Sequence, residues 1–323
     1  MASISVSKIC IPFSGTIIEV PDAPSGLLLT IIDDASIQLN WTDNSSSEDG
    51  FRIYYSDDGV NFTELDTVSA GITTYTANAL TDNFYWFYVV AYNGGGESTA
   101  TSTETNDTPL IVYAANTIMW YDYTDASTLT DDGGGLISLW EDKLASGHDL
   151  VAAAAARPTL AATGIIFNGS SNYMKTAQIP TFLNPCFVYM VVRQLSWTAA
   201  DYLFDGFFST AALVWQRTST PDIRIYSGSE SGAAGGLTVG SFGIVRALFY
   251  LANSFIQVNN NATVAAVLIG CNMQGLTLGS NGAGASNGNI EVKEIIIRDT
   301  ADNAPSQTAI YNYLATKYGL PTI

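Results

Sequence analysis

Three short pieces of sequence between residues 119 and 174 indicate the fold of most of the chain. Residues 119–122 read MWYD, residues 131–140 read DDGGGLISLW, and residues 165–174 read IIFNGSSNYM. Each piece combines an apolar run of strand length with Asp, Asn, Gly or Ser, the residues that favour tight turns. We therefore expect two short strands that bury Trp120 and Trp140, and a third strand that ends in a turn after Phe167.

This stretch resembles the opening of laminin-G-like domains of the concanavalin A-like lectin/glucanase class. The end of the chain adds to the resemblance. Residues 289–297 (NIEVKEIII) are similar to the closing strand of that class, and residues 310–320 to its terminal helix, with Gly319 as a C-terminal stop. The resemblance implies a concanavalin A-like jelly-roll sandwich with a short C-terminal helix over residues 109–323.

The composition predicts an all-β protein. Hydrophobic residues make up 47% and charged residues 13% of the 323 positions, and there are 28 glycines, which favours many short strands joined by turns. Thirty Asp and Glu against twelve Lys and Arg give a formal net charge of -18. Such a charge repels polyanions, so we expect no nucleic-acid partner.

Residues 22–108 contain a second recognisable pattern. Ile37, Leu39 and Trp41 alternate with polar residues, which indicates a strand with one buried face. Together with Leu80, Tyr85 and the run from Val89 to Ser98, this segment resembles a fibronectin type III domain. In that resemblance Trp41 is the core tryptophan of the second strand, and Tyr85 takes the tyrosine-corner position. An immunoglobulin-like sandwich is therefore expected ahead of the larger domain, with a polar linker between the two.

One face of this domain differs from the usual residue pattern of fibronectin type III domains. If Phe87, Val89 and Ala91 point inward, the strand pleat places their neighbours outward. The expected protein-contact face is the resulting row of aromatic side chains, Tyr54, Trp86, Tyr88 and Tyr92. Exposed aromatic surface of this extent usually marks a contact, so we expect it to pack on the second domain or on a neighbouring protein.

Residues 1–21 are interpreted as an N-terminal arm and possible attachment segment. The arm either adds a strand to a neighbouring subunit or packs as a first strand on its own domain. No apolar run approaches the ~18 residues of a membrane span, so no membrane insertion is expected. The N-terminus also lacks the pattern of a secretion signal. For modules that usually work outside cells, this favours folding in a cytoplasm and release by lysis.

No catalytic centre is predicted, and we expect a protein that is not an enzyme. Glycosidases of the concanavalin-like class carry a Glu-x-Asp-x-Glu strand, which this chain lacks. Glu291 and Glu294 are three residues apart, so a regular pleat would send them to opposite faces. The single histidine, His148, lies in a polar loop beside Asp149, where a solvated structural role is expected.

No cofactor or metal site is predicted either. The cysteines Cys10, Cys186 and Cys271 are scattered without a CxxC pair, so they indicate neither a disulfide framework nor a zinc site. Calcium is possible at the turn formed by Asp131 and Asp132, but no calcium-loop spacing supports it. The acidic excess is interpreted as a device for solubility.

Sugar binding needs only a few aromatic rings at a surface with polar groups nearby. The candidate ligand-binding residues are Trp197, Tyr202, Trp215 and Tyr226, with packing in the core as the alternative for each. The sequence thus favours an accessory structural protein of a phage virion, a head or tail fibre or decoration protein, that displays a lectin-like domain. Other virion proteins, surface glycans and further copies of the chain are the expected partners, and the virion the expected location. A bacterial surface or secreted adhesin is the alternative, and a polysaccharide-degrading enzyme a weaker one.

Overall fold

The computed structural model describes residues 18–81, 84–106, 108–177, 185–208, 211–218, 222–235, 237–269 and 273–323. The chain divides into two compact units, Met1–Asp107 and Thr108–Ile323. Both consist mainly of antiparallel strands, which confirms the all-β class. Most of the predicted N-terminal arm, including Cys10, lies outside the described residues, as does Cys271.

The first unit is a two-sheet sandwich. Its described strands are β1 (Ser25–Asp33), β2 (Ser36–Thr42), β3 (Gly50–Ser56), β4 (Thr63–Ser69), β5 (Thr74–Ala77), β6 (Trp86–Asn93), β7 (Gly96–Glu97) and β8 (Glu104–Thr105). One sheet has the order β1-β2-β5, and the other β4-β3-β6-β7, with β8 paired to β6. Trp41 of β2 and Phe51 of β3 join the two sheets edge to face, with ring centroids 5.6 Å apart.

The tyrosine corner expected in this unit is present. The hydroxyl of Tyr85 accepts a hydrogen bond from the backbone N–H of Thr81 at 2.9 Å, and the Tyr85 ring is buried. Phe87, Val89 and Ala91 of β6 are fully buried, as their alternation predicts. The alternate residues Trp86, Tyr88 and Tyr92 therefore point to the other face of the sheet.

The second unit is a larger sandwich. Its described strands are β9 (Thr117–Asp122), β10 (Leu129–Asp131), β11 (Ile137–Trp140), β12 (Leu150–Val151), β13 (Thr159–Ala161), β14 (Gly164–Asn168), β15 (Met174–Lys175), β16 (Cys186–Gln194), β17 (Tyr202–Gly206), β18 (Leu213–Gln216), β19 (Asp222–Tyr226), β20 (Glu230–Gly235), β21 (Gly243–Phe249), β22 (Ser254–Val258), β23 (Val264–Ala266), β24 (Leu276–Leu278) and β25 (Asn289–Arg298). Short 3₁₀ turns occupy Leu110–Tyr113, Ala126–Thr128, Ala154–Ala156 and Leu251–Asn253.

Two large sheets enclose the core of this unit. The first has the order β10-β11-β12-β15-β24-β17-β18-β19-β20, and the second β13-β14-β25-β16-β21-β22-β23, with β9 paired to β25. Trp140 and Phe167 from the opening stretch are fully buried in the cluster between the sheets. Trp120 is also buried, but it faces away from that cluster, where its indole N–H donates to Glu294 at 2.7 Å.

Helix α1 (Ala304–Tyr318) covers part of the outer face of the second sheet. Asn303 caps its start by accepting from the Ser306 N–H, and Gly319 ends it with φ +66°. The predicted face of Ile310, Tyr313 and Leu314 is buried. The predicted helix and its glycine stop are therefore confirmed.

The expected placement of Glu291 and Glu294 on opposite faces is wrong. Across to β16, Glu291 pairs with Arg193 and Glu294 with Val191, so both lie opposite residues that share one face. The reason is a bulge at Lys293, which has no counterpart on β16 and shifts the pleat by one residue. Both carboxylates consequently lie on the outer face of the second sheet.

Candidate binding surfaces

The outer face of the first large sheet brings three of the four predicted sugar-binding residues together. In the strand register Tyr202 of β17 lies opposite Trp215 of β18. Trp215 in turn lies opposite Arg224 of β19, and Leu213, the first residue of β18, lies opposite Tyr226. Their alternate neighbours, such as Val214 and Ile225, belong to the core. This surface is called the aromatic row below: Tyr202, Trp215 and Tyr226.

The three rings of the aromatic row differ in accessibility. Tyr202 is only 7% exposed, whereas Trp215 and Tyr226 are partly exposed. The ring centroids of Tyr202 and Trp215 are 5.3 Å apart and the ring planes are inclined at 51°. The buried Tyr202 ring therefore packs against Trp215 and supports it. Burial raises the pKa of the Tyr202 phenol, and the carboxylate of Asp205 adds to the shift. Trp215 and Tyr226 are therefore the members of the row that solvent reaches.

Arginine and carboxylate side chains flank the aromatic row. Arg224 donates from Nε and Nη2 to Asp222 at 2.9–3.1 Å, and from Nη1 to Glu230 at 2.7 Å. Arg217 donates to the other oxygen of Glu230 at 2.9 Å and lies 5.1 Å from the centroid of Trp215. The hydrogen bond to Asp222 raises the pKa of Arg224. These four groups form one partly exposed ionic network with no net charge.

Sequence reasoning missed the ionic network, although part of its signal was present. Residues 222–226 read DIRIY, in which Asp222, Arg224 and Tyr226 alternate with two isoleucines. Alternation places the three polar residues on one face of a strand. Glu230 and Arg217 come from neighbouring segments, and only strand pairing brings their side chains to Arg224.

Trp197 does not join the aromatic row. It packs against the hydrophobic cluster between the two large sheets, in the manner of a framework residue. In this loop Asp201 is half-buried, and burial raises the pKa of its carboxyl to about 6. Of the four predicted residues, Trp197 thus packs against the core cluster and Tyr202 is buried, which leaves Trp215 and Tyr226 partly exposed.

In the acidic turn at residues 131–136 the carboxylates accept hydrogen bonds from backbone N–H groups. Asp131 accepts from the N–H of Gly133, and Asp132 accepts from Gly134 and Leu136 while pairing with Arg157. These bonds are typical of Asp in tight turns. Among the described residues there is no group of three or more His, Cys, Asp or Glu that could hold a metal ion.

Glu291 and Glu294 are held by dense networks, and their side chains are fully buried. Glu294 accepts from Trp120, Tyr313, Tyr318 and Lys317 at 2.6–2.8 Å. Burial raises the pKa of Glu294 even against the nearby ammonium group.

Glu291 and His148 are likewise bonded within the fold. Glu291 pairs with Arg193 and accepts from Thr163. The ring of His148 contacts the backbone oxygen of Ile118 and the hydroxyl of Ser146. Neither arrangement leaves a free acid and base at a surface.

The first unit carries its own aromatic surface on the sheet β4-β3-β6-β7. Tyr54 of β3 lies opposite Tyr88 of β6, and their rings stack with centroids 4.8 Å apart at 18°. Trp86, Tyr92 and Phe62 extend the surface, and all five rings are partly exposed. These residues are called the aromatic stripe below: Tyr54, Phe62, Trp86, Tyr88 and Tyr92. The outward orientation of the four tyrosine and tryptophan residues agrees with the pleat argument.

A single cation is built into the aromatic stripe. Arg52 lies 4.6 Å from the centroid of Tyr92 and pairs with Glu97 and, at 3.9 Å, with Glu64. Glu97 also accepts a hydrogen bond from the hydroxyl of Tyr54 at 3.1 Å. Carboxylates therefore line the stripe on the β4 side and on the β7 side.

Comparison with known proteins identifies one part of the chain. A fibronectin type III domain model matches residues 22–108. Residues 22–108 are a fibronectin type III domain. A search among curated proteins finds no match to the chain.

Similar solved structures include domains A168–A170 of titin, 23% identical with a TM-score of 0.25, where the match covers 27% of this chain and 32% of that chain. Another is FN3tt mut, 24% identical with a TM-score of 0.24, covering 27% of this chain and 96% of that chain. A third is a β-1,2-glucanase from Parabacteroides distasonis, 20% identical with a TM-score of 0.26, where the match covers 28% of this chain and 13% of that chain. The chain therefore spans about a third of the titin structure it matches. No helix in the described ranges has the length and apolar character needed to cross a membrane.

Proposed function

We propose that this protein is a non-enzymatic glycan-binding protein, in which the second unit contacts the sugar through the aromatic row. The observation that carries the proposal is the position of Trp215 and Tyr226 beside the network of Arg217, Arg224 and Glu230 on one exposed sheet face. Sugar rings stack their apolar faces on aromatic side chains, and their hydroxyls bond to carboxylates and guanidinium groups. The row offers both kinds of contact side by side.

The geometry of the row supports a weak single site. It lies on a sheet face, and its side chains already satisfy one another through ion pairs that a ligand must share. A shallow site of this kind gains useful strength when many copies act together, because each further contact is then intramolecular. Display of several copies, as a homo-oligomer or on a larger particle, therefore belongs to the proposal.

The absence of enzymatic activity is part of the same proposal. The two glutamates that the sequence analysis considered for catalysis, Glu291 and Glu294, lie on the opposite sheet, where they are bonded to Arg193, Lys317 and two tyrosines. A general acid or nucleophile has to reach the bond it cleaves. Neither carboxylate is exposed, which supports binding without hydrolysis.

For the biological setting we propose an accessory protein of a phage virion, in a head or tail fibre or as a decoration. In this setting the N-terminal arm and the fibronectin type III domain attach the protein to other virion proteins, and the second unit is displayed to host or environmental glycans. A bacterial surface or secreted adhesin is the alternative. Capsid and portal genes beside its gene would favour the virion, and secretion genes the adhesin.

The glycan proposal is tested with biotinylated full-length protein clustered on streptavidin and applied to a glycan array. We expect binding to one group of glycans, and at least tenfold weaker binding for Trp215→Ala combined with Tyr226→Ala. Val151→Ala removes an exposed apolar side chain from the same sheet without touching the row, and serves as the matched control. The proposal would be refuted if the wild type bound no glycan on the array, or if the double variant bound as strongly as the wild type.

A further inference from the structure

The fibronectin type III domain has an extreme charge balance. Within residues 22–108 Arg52 is the only Lys or Arg, against fourteen Asp and Glu. That single cation lies inside the aromatic stripe, where Glu97, Glu64 and the ring of Tyr92 surround it. Arg52 is thus already paired within the domain. Any further cation on the stripe has to come from outside residues 22–108.

The face itself is suited to hold such cations. Glu64 lies opposite Tyr54 on β4, and Glu97 lies opposite Tyr92 on β7, so carboxylates stand on both sides of the stacked tyrosines. An Arg or Lys side chain placed on these rings gains cation–π attraction and has a carboxylate within reach for an ion pair. The cation meets both kinds of partner on one surface.

The rings are ordered before any partner arrives. Tyr54 and Tyr88 support each other by stacking, and Phe62 contacts Tyr88 with centroids 4.9 Å apart. The indole of Trp86 packs closely on the turn at Gly59. A Cβ atom added to Gly59 would lie only 3.1 Å from the indole ring. Ordered side chains lose little entropy on binding, so the contacts contribute more of their attraction to affinity.

We infer that the aromatic stripe binds a basic protein surface, on which Arg or Lys side chains stack against Tyr54 and Tyr88 and pair with Glu64 and Glu97. A second copy of this domain is the wrong partner on charge grounds, because two bodies with fourteen acidic residues and one basic residue repel each other. The inference concerns the first unit and does not depend on glycan binding by the second.

The inference is tested with a fluorescently labelled peptide of eight Arg-Ser repeats and a matched peptide of eight Glu-Ser repeats. Binding to the full-length protein is measured by anisotropy at low salt and at 0.3 M NaCl. We expect the basic peptide to bind and the acidic peptide not to bind. Tyr54→Ser combined with Tyr88→Ser leaves the net charge unchanged and should weaken binding about tenfold.

The matched control lies on the opposite sheet of the same domain. Leu28→Ser combined with Ile32→Ser replaces two β1 residues that are 61% and 54% exposed, and should leave peptide binding unchanged. Equal binding by wild type and the tyrosine variant would show that acidic charge alone attracts the peptide, and would overturn the inference. Binding of the acidic peptide, or sedimentation showing self-association that the tyrosine variant abolishes, would also overturn it. Thermal melts confirm that both variants are folded.

Discussion

We predict that Lys317 holds helix α1 against strands β9 and β25 by neutralising two buried carboxylates. Its Nζ lies 2.7 Å from Asp122 and 2.8 Å from Glu294, whose side chains are 3% and 0% exposed. Lys317→Met removes the charge and keeps most of the aliphatic stem. The two carboxylates then face each other across β9 and β25 without the cation between them.

Two estimates give the size of the effect. Removing one member of a buried ion pair costs about 3–5 kcal/mol, and the lower end applies because Lys143 still pairs with Asp122 at 3.1 Å. Burial raises the pKa of Asp122, but Lys317, Thr124 and Lys143 outweigh it and lower that pKa to about 2. A shift of this size from 3.8 corresponds to roughly 2.5 kcal/mol, and Lys317 is the largest of the groups that lower this pKa. We therefore expect a loss of about 2–3 kcal/mol in the free energy of unfolding at pH 7.

The pH dependence follows from the two directions of shift. The pKa of Asp122 is lowered in the folded protein, so its contribution is present above pH 4 and is lost as the pH falls towards 2. Burial raises the pKa of Glu294, and Lys317 opposes that rise. Without Lys317 the carboxyls are easier to protonate in the folded state. The difference between wild type and variant should therefore be largest at pH 7 and shrink towards pH 3.

Urea denaturation followed by circular dichroism, with hydrogen exchange of the α1 amides, measures the effect. Lys317→Arg keeps the charge and should retain most of the stability, which makes it the control for loss of charge. A Lys317→Met protein as stable as wild type at pH 7 would refute the reasoning. So would a stability difference that stays constant between pH 3 and pH 7.

Two further predictions concern single sites in the second unit. Gly279→Ala should cost about 3 kcal/mol in a thermal melt, because φ is +75° and the new Cβ would lie 2.3 Å from Phe167. Gly133→Ala, at φ +81° with no atom within 4 Å of the new Cβ, should cost only about 1 kcal/mol, and equal costs would contradict the steric argument. Because burial raises the pKa of Asp201 to about 6, its contribution to stability is present below pH 4 and lost as the pH rises through 6. Asp201→Asn should therefore be about 1–2 kcal/mol more stable than wild type at pH 8 and equal at pH 4, and the same difference at both values would contradict the shift.

Local patterns in the sequence predicted the framework well. The tyrosine corner at Tyr85, the burial of Trp140 and Phe167, and the stop of α1 at Gly319 all follow from neighbouring residues, and all are present. The outward face of β6 followed from strand alternation in the same way. These features depend on the chemistry of a few adjacent residues, which a single sequence displays directly.

The faces of Glu291 and Glu294 were mispredicted because a bulge depends on the partner strand. Nothing within residues 289–298 marks Lys293 as the extra residue, and its position appears only when β25 is paired with β16. Likewise, the ionic network beside Trp215 joins Arg217, Arg224 and Glu230 across three segments. Which strands become neighbours is a global property of the fold, so local reasoning did not reach these contacts.

By itself the sequence determined the all-β class, the fibronectin type III domain at residues 22–108, and the framework positions of the opening stretch between residues 119 and 174. Turn residues and alternating apolar residues act over a few positions, and this short range makes them readable. The tertiary structure alone decided which distant charges meet, as Asp122, Glu294 and Lys317 do. It also decided which aromatic residues share a surface and which, like Trp197, pack against the core, because burial depends on what the rest of the chain places against a side chain.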